Sequence, residues 1–233
     1  MNSNPPYNFE EGALFLVDKP LHWTSFDVVN KLRFALRKAT GNKKIKVGHA
    51  GTLDPLATGL LLICSGKYTK QIDSLQAMEK EYTGTIKLGA TTASYDAESE
   101  EDAHFSYEHL TSADLETAAN FFVGAIEQFP PMFSAIKVDG KPLYLAARKG
   151  ESIELKARPI NIMAFDLTKI ELPFVDFRVA CSKGTYIRSL AYDFGKKLNN
   201  GGYLSALRRT KIGLFSVDNA WKLEELIAHV EGI

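Results

Sequence analysis

One carboxylate is distinguished by the residues around it. Asp54 lies in the segment 48–59 (GHAGTLDPLATG), among small and turn-forming residues and directly before an apolar run. Three glycines and a proline fix an unusual backbone path there, and such a loop can present a carboxylate rigidly to a closely approaching ligand. Carboxylates act as covalent nucleophiles in several enzyme classes. Asp54 is therefore a candidate nucleophile, the alternative being an ordinary Asp-Pro turn or helix cap.

The other reactive residue types give no competing site. Cys64 and Cys181 do not have the spacing of metal ligands, and His49 has no Cys or His partner nearby, so no metal site is predicted. Two cysteines cannot form a disulfide framework, which favours a reducing compartment. A hydrolase using Asp54 and His49 is disfavoured, because the chain has neither a nucleophile elbow nor a set of metal ligands.

Several further segments carry motifs in a fixed order. They are 17–20 (VDKP), 80–82 (KEY), 130–137 (PPMFSAIK), 141–150 (KPLYLAARKG), 181–190 (CSKGTYIRSL) and 203–209 (YLSALRR). Together with the segment around Asp54 they resemble the motifs of the TruB-type pseudouridine synthases, from about Leu14 to Val217. The resemblance implies isomerisation of a uridine to pseudouridine in the T loop of tRNA, at position 55, with no cofactor and no metal.

The resemblance also implies roles for particular residues. Asp54 would attack the uracil ring or the ribose C1′ of a flipped-out uridine, and Arg188 would keep its carboxylate ionised and oriented. Tyr82 would stack on the base and move a proton. The remaining expected contacts come from His49, which would fill the gap left by the flipped base, from Tyr186 and Leu207, which would line the pocket, and from Lys19.

Each of these roles has a simpler alternative. Tyr82 is also compatible with plain core packing, Arg188 with a solvated helix position, and His49 with a loop histidine bonded to backbone. Lys19 either supports the site or contacts phosphate. A non-catalytic tRNA-binding protein or chaperone on the same scaffold is the second functional hypothesis, and the retained Asp54 speaks against it.

The elements that must position these residues follow from hydrophobic periodicity. The pattern predicts a strand at 13–17, a helix that Ser25 caps and that runs to about 37, and a strand at 82–88. Further helices are expected from Ser112, at 143–149, at 185–198 and at 223–230, with a strand at 134–138 and paired strands at 160–172 and 175–181. Residues 91–105 are expected to be acidic and irregular. The mixture, without a regular βαβ rhythm, predicts an α+β fold.

The family resemblance refines this expectation. It implies the pseudouridine synthase fold, a mixed and mainly antiparallel sheet flanked by helices and loops. Residues 1–233 would form one catalytic domain, with a thumb-like RNA-gripping insertion at 128–160. The residues after Val217 are too few for the C-terminal RNA-binding domain of the PUA type, so a guide-RNA particle is not expected, and the chain is expected to act as a monomer.

Charge is balanced in total but uneven along the chain. The sequence has 28 basic and 28 acidic residues, 45% hydrophobic residues, and no signal or membrane-spanning pattern, so a cytoplasmic protein is expected.

Acidic residues cluster between Asp96 and Glu116. Two groups are basic: Lys31, Arg33, Arg37, Lys38, Lys43, Lys44 and Lys46, and then Lys183, Arg188, Lys196, Lys197, Arg208, Arg209 and Lys211. Such asymmetry favours a phosphate-binding face. Phosphate contacts are expected from Lys43, Lys44, Lys46, Lys137, Lys141, Arg148 and Lys149, with solvated surface charges as the alternative.

Overall fold

The computed structural model describes residue 9 and residues 11–134, 137–138, 141–142 and 155–232. Within it the chain divides into two compact units. Unit 1 comprises Met1–Tyr82 and Leu207–Ile233, and unit 2 comprises Thr83–Ala206. The expectation of one catalytic domain stays a prediction.

Unit 1 is a mixed sheet with helices. Its elements are β1 (Leu14–Lys19), α1 (Ser25–Thr40), β2 (Val47–His49), β3 (Ala57–Ser65), α2 (Ile72–Ala77), β13 (Phe215–Ser216), β14 (Trp221–Lys222) and α5 (Leu223–Glu231), with 3-10 turns at Gly66–Gln71 and Val217–Asn219. The unit boundary falls inside β4 (Lys80–Leu88) and β12 (Gly202–Ile212). β1 is antiparallel to β3 and parallel to β14, while β3 is antiparallel to β2 and parallel to β12.

The core of unit 1 explains why the sequence of β3 contains a continuous apolar run. Its alternate residues Leu61 and Ile63 pack with Phe15 and Val17 of β1 and with the buried sides of α1 and α5. The other face of β3 packs against Ile212 of β12. Because both faces are covered, the strand shows no polar alternation.

Helix α1 is capped one residue earlier than predicted. Thr24 is the N-cap and forms a capping box with Asp27, and Gly41 ends the helix with a φ of 69°. The prediction that Ser25 caps the helix was therefore wrong. The Ser25 side chain is buried and makes hydrogen bonds outside the helix.

Among its described residues, unit 2 contains antiparallel strands and two helices. Its elements are β5 (Ala90–Thr92), β6 (Glu101–His104), α3 (Ser112–Phe121), β7 (Gly124–Gln128), β8 (Lys137–Val138), β9 (Lys141–Pro142), β10 (Arg158–Glu171), β11 (Phe174–Cys181) and α4 (Ile187–Lys197). The predicted pairing of β10 with β11 is confirmed, and β7 adds to the other edge of β10. Phe165, Phe177 and Phe194 meet edge to face in the core.

Residues 91–105 and the predicted insertion at 128–160 both belong to unit 2. Residues 91–105 are not wholly irregular, because β5 and β6 pair within them. The predicted insertion at 128–160 falls in unit 2, but much of it, including the expected helix at 143–149 and the side chains of Lys137, Lys141, Arg148 and Lys149, lies outside the described residues. In the described part of the chain, no helix is long and apolar enough to cross a membrane.

Candidate active site

The segment around Asp54 is the connection between β2 and β3. Its first and last turns are closed by backbone hydrogen bonds, from the amide of Ala50 to Leu62 O (2.9 Å) and from the amide of Ala57 to Asp54 O (3.0 Å). Gly51 has a φ of 104°, a conformation that suits glycine. The Asp54 side chain is half-buried. The loop predicted from composition is thus a tightly closed turn.

Arg209 holds the first half of this loop. Its guanidinium is buried, with 1% of the residue exposed. Nε donates to Leu60 O at 2.7 Å, Nη2 to Gly51 O at 3.1 Å and Nη1 to Thr52 O at 3.4 Å. A planar group with five donors in a fixed fork can serve several carbonyls at once. The sequence showed Arg209 only as a member of a basic group, whereas in the structure its side chain is an internal brace.

Ser25 and His22 hold the second half of the loop. The Ser25 hydroxyl donates to Leu53 O at 3.0 Å and accepts from the Leu53 amide at 2.8 Å. The His22 amide donates to Pro55 O at 2.8 Å. Each carbonyl from Gly51 to Pro55 therefore accepts a hydrogen bond, and the backbone that carries Asp54 is fixed along its whole length.

Lys19 lies beneath the same loop and is fully buried. Its ammonium donates to Trp23 O at 2.6 Å, to Pro20 O at 2.9 Å and, more weakly, to Pro55 O at 3.5 Å. Burial lowers the pKa of Lys19 to about 8, and the negative charge of Asp54 opposes that shift. An ammonium enclosed by carbonyls is not placed to touch phosphate, so the geometry favours the supporting role over the phosphate contact.

His49, Leu207 and Tyr82 also lie in unit 1. His49 ends β2, and burial, together with the nearby Arg209 guanidinium, lowers its pKa, which keeps the imidazole neutral near pH 7. Leu207 is half-buried and pairs with Ala57 in the parallel ladder of β12 and β3. Ala57 is the third residue after Asp54. Tyr82 is 8% exposed in β4. That burial agrees with both stacking on a base and packing in the core.

Arg188 belongs to unit 2, at the second residue of α4. It is 6% exposed, so the alternative of a solvated helix position was wrong. Its guanidinium donates to Phe133 O at 2.9 Å and Ser94 O at 3.2 Å, and it forms an ion pair with the buried Asp96 at 3.6 Å. Since Asp54 lies in unit 1, the expected pairing of Arg188 with Asp54 stays a prediction.

Asp96 was missed by sequence reasoning, which grouped it with surface acids. It is 5% exposed, and its carboxylate accepts hydrogen bonds from the Ser94 hydroxyl and the Glu98 amide. The only signal in the sequence was its position among Thr, Ser and Tyr at the start of the acidic stretch. Asp96 therefore forms a buried ion pair with Arg188 and belongs to the environment of that guanidinium.

Tyr186 immediately precedes α4 and is half-buried. The buried side-chain amide of Gln128 bonds both backbone groups of Tyr186. It accepts from the Tyr186 amide at 2.8 Å and donates to Tyr186 O at 3.0 Å. Ser189 donates to Phe129 O at 2.8 Å. The start of the insertion is therefore tied to the helix that carries Arg188.

The basic groups divide into structural and exposed members. Besides the two buried arginines, Arg208 forms a bidentate pair with Asp18 at 2.7 and 3.0 Å, and Lys31 and Lys38 pair with glutamates of α5. Lys43, Lys44 and Lys46 are exposed. These three lysines keep the character expected of phosphate contacts. Among the described residues, no group of three or more His, Cys, Asp or Glu side chains is arranged to hold a metal ion.

Two solved structures resemble the fold. One is described as the crystal structure of a Cbf5-Nop10-Gar1 complex, with a TM-score of 0.72 and 28% identity over 94% of this chain. The other is an H/ACA RNP bound to a substrate RNA containing 2′-deoxyuridine, with a TM-score of 0.69 and 26% identity over 97% of this chain. The chain spans only 54% and 56% of those solved chains. They agree with the predicted α+β pseudouridine synthase fold.

Sequence comparison is more specific. The model of the N-terminal domain of TruB family pseudouridylate synthases matches residues 37–187, and that of the tRNA pseudouridylate synthase B C-terminal domain matches residues 188–231. Proteins named tRNA pseudouridine synthase B from Flavobacterium johnsoniae and Phocaeicola vulgatus are 58% and 53% identical to this chain. The alignments cover 92% and 93% of this chain and 94% and 92% of the relatives. The chain therefore belongs to the TruB family of pseudouridylate synthases.

Proposed function

We propose that Asp54 is the nucleophile with which this TruB-family enzyme isomerises uridine to pseudouridine in the T loop of tRNA. The observation that carries the proposal is the fixed backbone around Asp54, in which five consecutive carbonyls are held by hydrogen bonds. A nucleophile held in one geometry avoids much of the entropic cost of reaction. The arrangement suits a carboxylate that must meet one atom of a bound nucleotide.

The reaction exchanges one glycosidic bond for another. Asp54 attacks either the uracil ring or the ribose C1′, the bond from N1 to C1′ breaks, and the base turns over. A bond from C5 to C1′ then forms and the bond to the Asp54 carboxylate breaks, which regenerates the nucleophile; the C5 proton passes to solvent, and N1 takes up a proton. The product contains a more stable carbon–carbon linkage, so the reaction needs no ATP and no redox partner.

Other residues would assist Asp54. Arg188 would orient the carboxylate, since its own position is fixed by two backbone carbonyls and Asp96. Tyr82 would stack on the flipped base and move a proton. Tyr186 and Leu207 would line the pocket, and the neutral His49 would fill the space that the base leaves in the RNA.

The proposed partner is the T arm of tRNA, bound without a guide RNA and by a monomer. The near full-length relatives are named as tRNA pseudouridine synthases, which supports a tRNA substrate. Of the solved relatives, one is described as a Cbf5-Nop10-Gar1 complex and the other as an H/ACA RNP, and this chain spans only 54% and 56% of those solved chains. A purified chain that modifies an isolated T-arm RNA would need neither a guide nor a protein partner.

Tritium release tests the proposal directly. The purified chain is incubated with a T-arm stem-loop labelled with tritium at uracil C5, beside an Asp54→Asn variant. We expect release from the wild type and none above background from the variant. If neither protein releases tritium from this RNA or from full-length tRNA, although both bind it, the chain is a tRNA-binding protein and the proposal fails.

A further inference from the structure

Two side chains of α4 contact the same short turn. Arg188 and Tyr192 are four residues apart and lie on one side of the helix, one turn from each other. Arg188 bonds Ser94 O and pairs with Asp96, while the ring of Tyr192 stacks on the ring of Tyr95, with centroids 4.0 Å apart and planes at 15°. The turn from Ser94 to Asp96 is thus held at two successive positions along α4.

The backbone of this turn is unusual. Tyr95 has a φ of 63°, in the left-handed region that residues with a side chain seldom adopt. Such a conformation persists only where surrounding contacts determine it. The amide of Leu204 donates to Tyr95 O at 3.0 Å, and the Thr92 hydroxyl donates to Asp96 O at 2.7 Å. The ring stack is the contact that fixes the Tyr95 side chain itself.

The stack has a direct consequence for Arg188. Asp96 follows Tyr95 in the chain, so the φ and ψ of Tyr95 set where its carboxylate points. The distance from Asp96 Oδ2 to Arg188 Nε is 3.6 Å, so the ion pair depends on where this carboxylate lies. A Tyr95 released from the left-handed region would move the carboxylate away from the guanidinium.

We propose that the Tyr95–Tyr192 stack is a positioning device for Arg188, acting through Asp96. Neither tyrosine is assigned a contact with the substrate. The inference rests on the proposed function, because it concerns the arginine that would orient Asp54. It predicts that the stack supports the chemical step and leaves RNA affinity unchanged.

Single-turnover kinetics on the labelled T-arm RNA separate these effects. We expect Tyr192→Ala to lower the rate constant by about 10- to 100-fold, as misplacement by about an ångström does, with the Kd for RNA unchanged. Tyr192→Phe keeps the ring and should restore the wild-type rate. Phe121→Ala is the matched control: Phe121 packs under Lys197 at the far end of α4, with Nζ 3.7 Å from the ring centroid, and its removal should leave the rate unchanged.

A double-mutant cycle with Asp96→Asn gives the decisive readout. If the stack acts through Asp96, Tyr192→Ala should cause no further loss in the Asp96→Asn background. Multiplicative losses, a loss no larger than that of Phe121→Ala, or failure of Tyr192→Phe to rescue would overturn the inference. All variants are assayed well below their melting temperatures. An inactive wild type would instead refute the proposed function, so the two failures are distinguishable.

Discussion

At the scale of single residues, the site depends on uncharged braces as well as on charged groups. Ser25 shows this most clearly, because its hydroxyl bonds both the amide and the carbonyl of Leu53, directly before Asp54. Without this hydroxyl, the amide and the carbonyl of Leu53 would each lose a hydrogen-bond partner, and each would carry an uncompensated cost of desolvation. The neighbouring Thr24 has the different task of capping α1.

These neighbours provide a matched pair of substitutions. Ser25→Ala should lower the free energy of unfolding by about 1–3 kcal/mol and slow the single-turnover reaction, because the Asp54 loop loses a brace. Thr24→Ala should cost a similar amount, about 1 kcal/mol, with an unchanged rate. Urea denaturation and tritium release measure the two effects. Equal rates for both variants would show that the Ser25 hydroxyl does not position Asp54.

Asp193 allows a prediction on pH. Burial raises its pKa to about 6, and the nearby Lys196 opposes the shift. The folded chain therefore holds this proton more tightly than the unfolded chain, and stability falls as pH rises from about 4 to about 6. Asp193→Asn should be more stable than the wild type by about 1–2 kcal/mol at pH 7.5, after allowance for solvent screening. The advantage should vanish near pH 4, and an equal advantage at both pH values would contradict this account.

At the scale of elements, the parallel pairing of β3 with β12 brings Arg209 to the loop. Gly59 faces Arg209 in this ladder with a φ of 103°, and a Cβ there would lie 2.3 Å from Arg209 O and 2.7 Å from its amide nitrogen. Neither backbone atom can move without breaking the ladder. The last glycine of the Asp54 motif is thus required by strand pairing.

Gly41 offers the control for this position. It also has a positive φ, 69°, but nothing lies within 4 Å of a Cβ placed there. Gly41→Ala should therefore cost only about 1–2 kcal/mol from the backbone conformation. Gly59→Ala should cost clearly more, about 3 kcal/mol or above, and should abolish activity. Chemical denaturation would compare them, and similar midpoints would exclude the close approach of the two strands.

Elements with a regular apolar pattern could be predicted from the sequence, whereas elements rich in polar side chains could not. Hydrophobic patterning was sufficient for β1, α1 and the paired strands β10 and β11, because each buries a regular apolar surface. β12 was not predicted as a strand, since its second half, 205–211 (SALRRTK), is rich in polar residues that serve as braces. Asp54 was found from its motif, whereas Ser25, Asp96 and Arg209 become part of the site only through contacts distant in sequence.

At the scale of the whole molecule, the net charge is zero, but the basic side chains differ in role. Some hold backbone or pair with acids, and others are exposed. Buried Arg188 and Arg209 brace backbone, and Arg208 pairs with Asp18. Such groups contribute little to attraction of a polyanion, because their charge is used internally. Lys43, Lys44 and Lys46 lie exposed on the segment between α1 and β2, which leads directly to His49.

The salt dependence of RNA binding tests whether the exposed lysines contact phosphate. Each phosphate contact releases condensed counterions and contributes about 0.7–0.9 to the slope of log K against log salt. Replacing Lys43, Lys44 and Lys46 with Gln should therefore reduce the magnitude of the slope by about 2–3 and weaken binding at low salt. Lys169→Gln is the control, because this exposed lysine already pairs with Glu171 at 2.9 Å. An unchanged slope in the triple variant would mean that these lysines are solvated surface charges and that the RNA is gripped elsewhere.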